Sequence, residues 1–281
     1  MKHENHTPLG AFKIRGGLVY FDDLKRSNPG VRGVVAATRG NHGQSIAFAA
    51  QRHGLRAIVV VPHGNSVDKN AAMRARGAEL IEHGADFQDA LEHARKLAQI
   101  HGLHMVPSFD EALVRGVASY SMELFLAVRD LHALYVPIGL GSGICGAIAA
   151  REALGLKTEI VGVVAAAAPA YAESFSARAA VERPVAATVA DGMACRVPDV
   201  EALQVIMRGV ARIVTVGEDE IRSAMRSLYT DTHSIAEGAG AAALAAVMKE
   251  RSTLRGGRIA IIQTGGNVDK TVFAGVIAEE D

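Results

Sequence analysis

Seven short apolar runs, each separated from the next by a stretch with helical periodicity, confine this chain to a narrow set of folds. The runs are GVVAA (33–37), AIVVV (57–61), AELI (78–81), ALYVPI (133–138), EIVGVV (159–164), RIVTV (212–216) and RIAII (258–262). They are rich in Val and Ile and do not alternate cleanly, the pattern of parallel strands covered on both faces. Between them, 41–53, 66–76, 86–101, 114–129, 143–154, 218–229 and 237–250 read as helices. Strand and helix in turn predict an α/β protein with mostly parallel sheets. The 281 residues allow one large domain or two smaller ones.

Open α/β sheets take their ligands at the carboxyl ends of strands, and three such ends here are polar and rich in glycine. The first is PIGLGSGICG, 137–146, where a strand turns into a helix. Free N–H groups and the helix dipole favour an anion there, so the loop reads as a phosphate cradle or, alternatively, as a tight turn for close helix–sheet packing. Gly141, Gly143 and Gly146 fit G-x-G-x-x-G, but the next strand runs into VVAAAAP with no acid to hold a ribose, which disfavours a dinucleotide. The second is TRGNHGQ, 38–44, with Thr38, Gly40, Asn41, His42 and Gln44 crowded at a helix start. It reads as a carboxylate site or as an ordinary N-cap. The third is QTGGN, 263–267, carrying Thr264 and Asn267; Glu237 adds a carboxylate beside a helix of small residues.

Lys13 sits in HTPLGAFKIRGG between Phe12 and Ile14, framed by Gly10, Gly16 and Gly17. A surface lysine needs no such frame. A lysine that has to lose its proton and form a covalent bond does, because an apolar site lowers its pKa. Other chemistries find less support. Lys+Arg and Asp+Glu are 30 each, so the net charge argues for neither nucleic acid nor an anionic membrane. Two distant cysteines, Cys145 and Cys195, form no disulfide framework and no zinc cluster. His3/His6 and His101/His104 lack a third ligand at a suggestive spacing, and no HExxH or GxSxG is present. The start MKHENHTPLG has no signal-peptide core, and IVGVVAAAAPAYA is broken by Pro169 and too short to span a bilayer. A cytoplasmic protein is expected.

Taken in order, these segments resemble the serine/threonine dehydratases, threonine ammonia-lyase-like members of the tryptophan-synthase-β-like, fold type II pyridoxal phosphate enzymes. Lys2, Glu4 and Asn5 match the family's Lys-x-Glu-Asn, and Phe12, Lys13, Arg15 and Gly16 its Phe-Lys-x-Arg-Gly. TRGNHGQ is similar to its Ser-x-Gly-Asn-His-x-Gln loop, PIGLGSGICG to its phosphate loop, and ADGMACR (190–196) and QTGGN to two further landmarks. The resemblance implies two α/β domains, a small one over 33–103 and a large one from 1–32 and 104–281, with pyridoxal 5'-phosphate in the cleft and the small domain closing on substrate. It implies that Lys13 carries the cofactor as a Schiff base and then acts as the base at Cα. Gly139, Leu140, Gly141, Ser142 and Gly143 would cradle the phosphate, Asn41 would bond the phenolic oxygen and Thr264 would face the pyridine nitrogen. Phe12, Gly192 and Glu237 would complete the cofactor's surroundings. Thr38, Gly40 and His42 would hold the substrate carboxylate. A homodimer or higher homo-oligomer is implied as well.

The expected reaction is β-elimination of water from L-threonine or L-serine, giving a 2-keto acid and ammonia. The alternatives are another fold type II reaction, such as 3-hydroxyaspartate dehydration, β-replacement or racemization, and a truncated non-catalytic paralogue. Racemases of the family carry a serine where this chain has Arg39. A guanidinium stays charged and cannot shuttle a proton, so racemization is disfavoured. Arg39 either binds a second polar or carboxylate group of the substrate, or faces solvent or a structural partner. The acidic ligands of metal-activated relatives are missing after EIVGVV, so no metal is expected there. Relatives usually begin with a further N-terminal segment, and the isoleucine-inhibited biosynthetic dehydratases end with a regulatory domain; this chain shows neither, which suits a catabolic enzyme. The wording of the motifs is nearest a bacterial branch that includes dehydratases of hydroxyectoine breakdown.

Overall fold

The computed structural model describes residues 1–254 and 256–279. Its strands are β1 (Lys2–His3), β2 (Gly33–Ala37), β3 (Arg56–Val61), β4 (Glu79–Glu82), β5 (His104–Met105), β6 (Ala133–Pro137), β7 (Glu159–Ala165), β8 (Arg212–Val216) and β9 (Ile259–Gln263). Its helices are α1 (Lys13–Ser27), α2 (Asn41–Arg52), α3 (Val67–Ala75), α4 (Phe87–His101), α5 (Glu111–Ala127), α6 (Ser142–Ala153), α7 (Ala170–Ala177), α8 (Val200–Gly209), α9 (Glu218–Thr232), α10 (Gly238–Glu250) and α11 (Lys270–Ile277). Two parallel sheets result. One has five strands in the order β1-β9-β6-β7-β8, the other four in the order β4-β3-β2-β5.

Each of the seven apolar runs is a strand, and the packing explains why they lack alternation. In β6, Leu134 and Val136 face a cluster with Ile144, Ile148 and Ile206, while Ala133 and Tyr135 face Ile221, Ala242 and Ala245 on the other side. Both faces are covered, so both are apolar. In the smaller sheet, Val34 and Ala36 pack with Ile46, while Val35 and Ala37 pack with Ala90 and Ala94.

Helices α1, α7, α8 and α11 and the two-residue strands β1 and β5 were not expected from periodicity. Helix α1 begins at Lys13 and contains Gly16 and Gly17 in its first turn or so, residues that lower helix propensity and read as loop. Their use is contact. A Cβ on Gly17 would lie 2.1 Å from Ser45 Oγ, and one on Gly16 would lie 2.8 Å from the Leu113 carbonyl oxygen. Gly116 on α5 meets them, since its Cβ would lie 2.3 Å from the Arg15 carbonyl oxygen. The glycines around the lysine therefore let α1 lie against α2 and α5 at backbone distance. A methyl at 116 has only backbone to push against, so Gly116→Ala is expected to cost about 1–3 kcal/mol of stability. Urea unfolding measures it, and a loss below about 0.5 kcal/mol, the range of surface changes, would contradict the close approach.

Lys2, Glu4 and Arg15 join β1 to α1. Arg15 donates to both Glu4 oxygens at 2.7 and 3.0 Å and to Glu123 at 2.6 and 2.9 Å, while Lys2 pairs with Glu123. Glu4 is 1% exposed. These residues form a clamp that fixes the segment leading into Lys13.

Candidate active site

A cavity of about 680 Å³ lies between the carboxyl ends of the two sheets, lined by residues from both. The residues assigned from sequence to cofactor or substrate all line it: Phe12, Lys13, Thr38, Arg39, Gly40, Asn41, His42, Gly139, Leu140, Gly141, Ser142, Gly143, Gly192, Glu237 and Thr264; Gln44 and Asn267, also noted at the strand ends, do not. Segments more than 250 residues apart in the chain thus meet at one place.

Lys13 is held from several sides. The Phe12 N–H donates to the Thr264 carbonyl at 3.0 Å, Ala11 bridges Gly265, and Ser45 Oγ donates to the Lys13 carbonyl at 2.7 Å. Its Nζ donates to Ser142 Oγ at 2.8 Å and lies 5.0 Å from the centre of the Phe12 ring. It has no carboxylate partner among the described residues. The side chain is open to the cavity, but surrounding protein withdraws the amine from bulk water, and that burial pushes its pKa down to about 8.

Two helix starts point into the cavity. Helix α6 begins at Ser142 after Gly141, whose φ of +107° suits glycine. Cys145 N–H is the first of that turn to bond back, to Gly141 at 3.0 Å, which leaves the N–H groups before it for another partner. A Cβ on Gly139 would lie 2.4 Å from the Gly192 carbonyl oxygen, so the turn has to be bare there. Helix α2 begins at Asn41. The N-cap position is Gly40, and Thr38 Oγ1, two residues before it, accepts from Gly40 N–H at 2.9 Å and Gly43 N–H at 3.1 Å. His42 is pushed down to about 3 by burial and by the Lys13 charge, which keeps it neutral, and its Nε2 has no protein partner.

Behind Asn41, Glu237 belongs to a charged cluster whose other members, Lys69 and Asp191, sequence reasoning did not single out. Asn41 Nδ2 donates to Glu237 Oε1 at 2.6 Å, and Asn41 Oδ1 accepts from Asn267 Nδ2 at 2.8 Å. Lys69, 4% exposed, pairs with Glu237 at 2.9 Å and Asp191 at 2.7 Å. Burial pulls the Lys69 pKa down, but the two carboxylates outweigh it and hold the ammonium well above the ordinary range. Burial raises Glu237 and Lys69 opposes that; with a cation in contact, the ion pair is the form the geometry favours. Gly40 makes room for Lys69, since a Cβ there would lie 2.3 Å from Lys69 Cδ. Lys69 comes from α3, on the four-stranded sheet, and its partners from the other side of the cavity. Further links cross nearby: Arg196 pairs with Asp86 at 2.9 Å, Asp269 accepts from the Asp68 N–H at 3.1 Å, and Asp68 accepts from the Lys270 N–H at 3.0 Å.

The sequence profile described as pyridoxal-phosphate dependent enzyme matches residues 1–265. The L-threonine ammonia-lyase of Geobacter sulfurreducens is 35% identical over 277 residues, which span 98% of this chain and 69% of that one. The processed form of threonine deaminase isoform 2 from Solanum lycopersicum superposes with a TM-score of 0.90 at 28% identity, over 99% of this chain and 82% of that one. Maize serine racemase superposes with a TM-score of 0.90 at 26% identity, over 97% and 84%. Among the described residues no helix is long and apolar enough to cross a membrane.

Proposed function

The chain belongs to the pyridoxal-phosphate dependent enzyme family, and from that premise we propose that it is a cytoplasmic dehydratase that removes water from a hydroxy amino acid, yielding a 2-keto acid and ammonia. L-threonine and L-serine are the first substrates to try. The observation that carries the reading is the contrast between two lysines in one cavity. Lys69 is locked between two carboxylates, whereas Lys13 has none and is pushed down to about 8. Only Lys13 is prepared to act as a nucleophile near neutral pH.

The wall fits the cofactor on its own features. The bare glycine turn at the start of α6 suits a phosphate. The Asn41 amide, oriented by Glu237 and Asn267, suits a phenolic oxygen. Thr264 is assigned to the ring nitrogen, where a hydroxyl brings no charge. When bound, pyridoxal phosphate supplies an aldehyde for an amine and a conjugated ring that delocalises the electrons left at Cα.

The protein's own groups do the rest. Gly139 to Gly143 hold the phosphate. Thr38 and the backbone N–H of His42, at the start of α2, bind the substrate carboxylate, and Gly40 shapes that turn by giving its own N–H to Thr38 Oγ1. Lys13, once free, takes the Cα proton on Nζ, and Ser142 Oγ orients that amine. Closure of the unit built on the four-stranded sheet keeps bulk water from the reacting atoms, and the links from Lys69, Asp86 and Asp68 support it. Racemization is the second reading, favoured by the likeness to maize serine racemase and opposed by Arg39, which cannot exchange a proton. A homodimer is part of the proposal, checked by light scattering.

The test is a 2-keto acid assay on the cofactor-loaded protein with L-threonine, L-serine and 3-hydroxyaspartate, alongside chiral analysis of the remaining amino acid. Keto acid and ammonia in equal amounts are expected. An enantiomer without keto acid would replace this reading with racemization, and no conversion of any substrate would remove it.

A further inference from the structure

The cavity wall carries four basic side chains, Lys13, Arg39, Lys69 and Arg196, and three acidic ones, Asp86, Asp191 and Glu237. Each carboxylate is already paired: Asp191 and Glu237 with Lys69 at 2.7 and 2.9 Å, and Asp86 with Arg196 at 2.9 Å. Two cations are left over. Lys13 has its task in the reaction. Arg39 has no hydrogen bond and no ion pair among the described residues, and its Nε is shut away from water without a partner. An arginine N–H left unpaired out of water is destabilising, so this is a position that a ligand completes.

Two anionic groups are already provided for, the cofactor phosphate at the start of α6 and the substrate α-carboxylate at the start of α2. Arg39 is in excess of both. We propose that Arg39 selects the substrate, and that this substrate is a β-hydroxy-α-amino acid whose side chain ends in a second carboxylate. The proposal rests on the elimination reading above and narrows it. A guanidinium takes a carboxylate through two parallel N–H···O bonds. The small neutral side chain of serine or threonine would leave the cation without a charged partner. The chemistry balances without oxidant or reductant. The Cα–H and Cβ–O bonds break, a Cα=Cβ bond forms and the hydroxyl leaves as water. The released enamine then takes up one water and becomes an oxo diacid and ammonia.

The test uses the cofactor-loaded enzyme with 3-hydroxyaspartate and L-serine as substrates, and with L-aspartate and L-asparagine as ligands that have no β-hydroxyl to lose. Calorimetry on the wild type is expected to show L-aspartate binding roughly 100-fold tighter than its neutral isostere, the scale of a paired charge-assisted contact. In Arg39→Met that preference should fall to near parity, and Arg39→Lys should keep part of it. The ratio of kcat/KM for 3-hydroxyaspartate over L-serine should fall by about 100-fold in Arg39→Met, mainly through KM. Equal binding of the two ligands by the wild type would overturn the proposal without recourse to any variant. So would a weakened hold on cofactor in Arg39→Met with the substrate ratio unmoved, which would assign Arg39 to the phosphate. Should no hydroxy amino acid be converted while the aspartate preference persists and vanishes in Arg39→Met, the elimination reading fails and the dicarboxylate site stands.

Discussion

Lys13→Ala is expected to stop keto acid formation, lowering turnover by at least about 10⁴-fold. It should also leave the protein unable to hold cofactor covalently after borohydride reduction. The size follows from the two tasks assigned to one amine, carrying the cofactor and moving the Cα proton. Lys69 lines the same cavity and is the obvious rival. The two differ in charge state. Lys69 is held protonated by Glu237 and Asp191, whereas burial brings Lys13 to about 8. Competitive acetylation of the cofactor-free protein separates them by mass spectrometry. Below its pKa an amine is protonated and inert, so labelling of Lys13 should rise with a midpoint near 8. Lys69 should stay unlabelled throughout that range. Cofactor fixed to the chain in Lys13→Ala, or a Lys13 midpoint like that of ordinary lysines, would refute the assignment.

Much of this architecture was readable from local pattern. Both faces of each sheet are covered, so strands such as Ala133–Pro137 and Glu159–Ala165 are apolar runs that stand out without any partner being known. Their glycine-rich ends mark the cavity because a parallel sheet sends its loops to one edge. Helix α1 was hidden by Gly16 and Gly17, whose use depends on Leu113 and Gly116 of α5, about 100 residues along the chain, and on Ser45 of α2. Helix α8 did carry a signal. Asp199 caps it, accepting from Ala202 N–H at 3.0 Å, and Ala202, Leu203 and Ile206 follow at helical spacing. The strands β1 and β5 are two residues each, too short to show a period.

The site divides in the same way. Residues that present backbone or a small polar group at a strand end, such as Gly141, Thr38 and Thr264, advertise themselves in the motif they belong to. Lys69 does not. Its neighbourhood SVDKNAAMRARG reads as a helix with solvated charges, and Arg74 is of that kind. Lys69 turns inward because Gly40 has no side chain and because Asp191 and Glu237 wait across the cavity. A side chain whose surroundings come from three distant segments leaves no local trace. Glu237 shows the converse: a carboxylate before a helix of small residues is conspicuous, yet its partner is not.

The buried cluster makes Lys69→Met the second change of large effect. The variant loses the cation that keeps Glu237 ionised while the carboxylate stays out of water. Breaking a buried pair on one side costs about 3–5 kcal/mol, and urea unfolding should show a loss on that scale. The loss should depend on pH, with a definite sign. Burial already raises Glu237 in the folded state, and without Lys69 nothing opposes that shift. A carboxyl whose folded pKa lies above its unfolded value binds more protons when folded, so stability falls as pH rises between the two. The deficit of the variant should therefore be smallest in acid and grow above the ordinary carboxylate range. Cofactor binding should weaken as well, because Asn41 is oriented through Glu237 Oε1 at 2.6 Å. Adding Glu237→Gln to Lys69→Met removes the stranded carboxylate and keeps an acceptor for Asn41, so the double variant should recover much of the stability lost by the single one. A deficit that is small and flat with pH, or a double variant whose losses simply add, would show that Lys69 and Glu237 do not act as a pair.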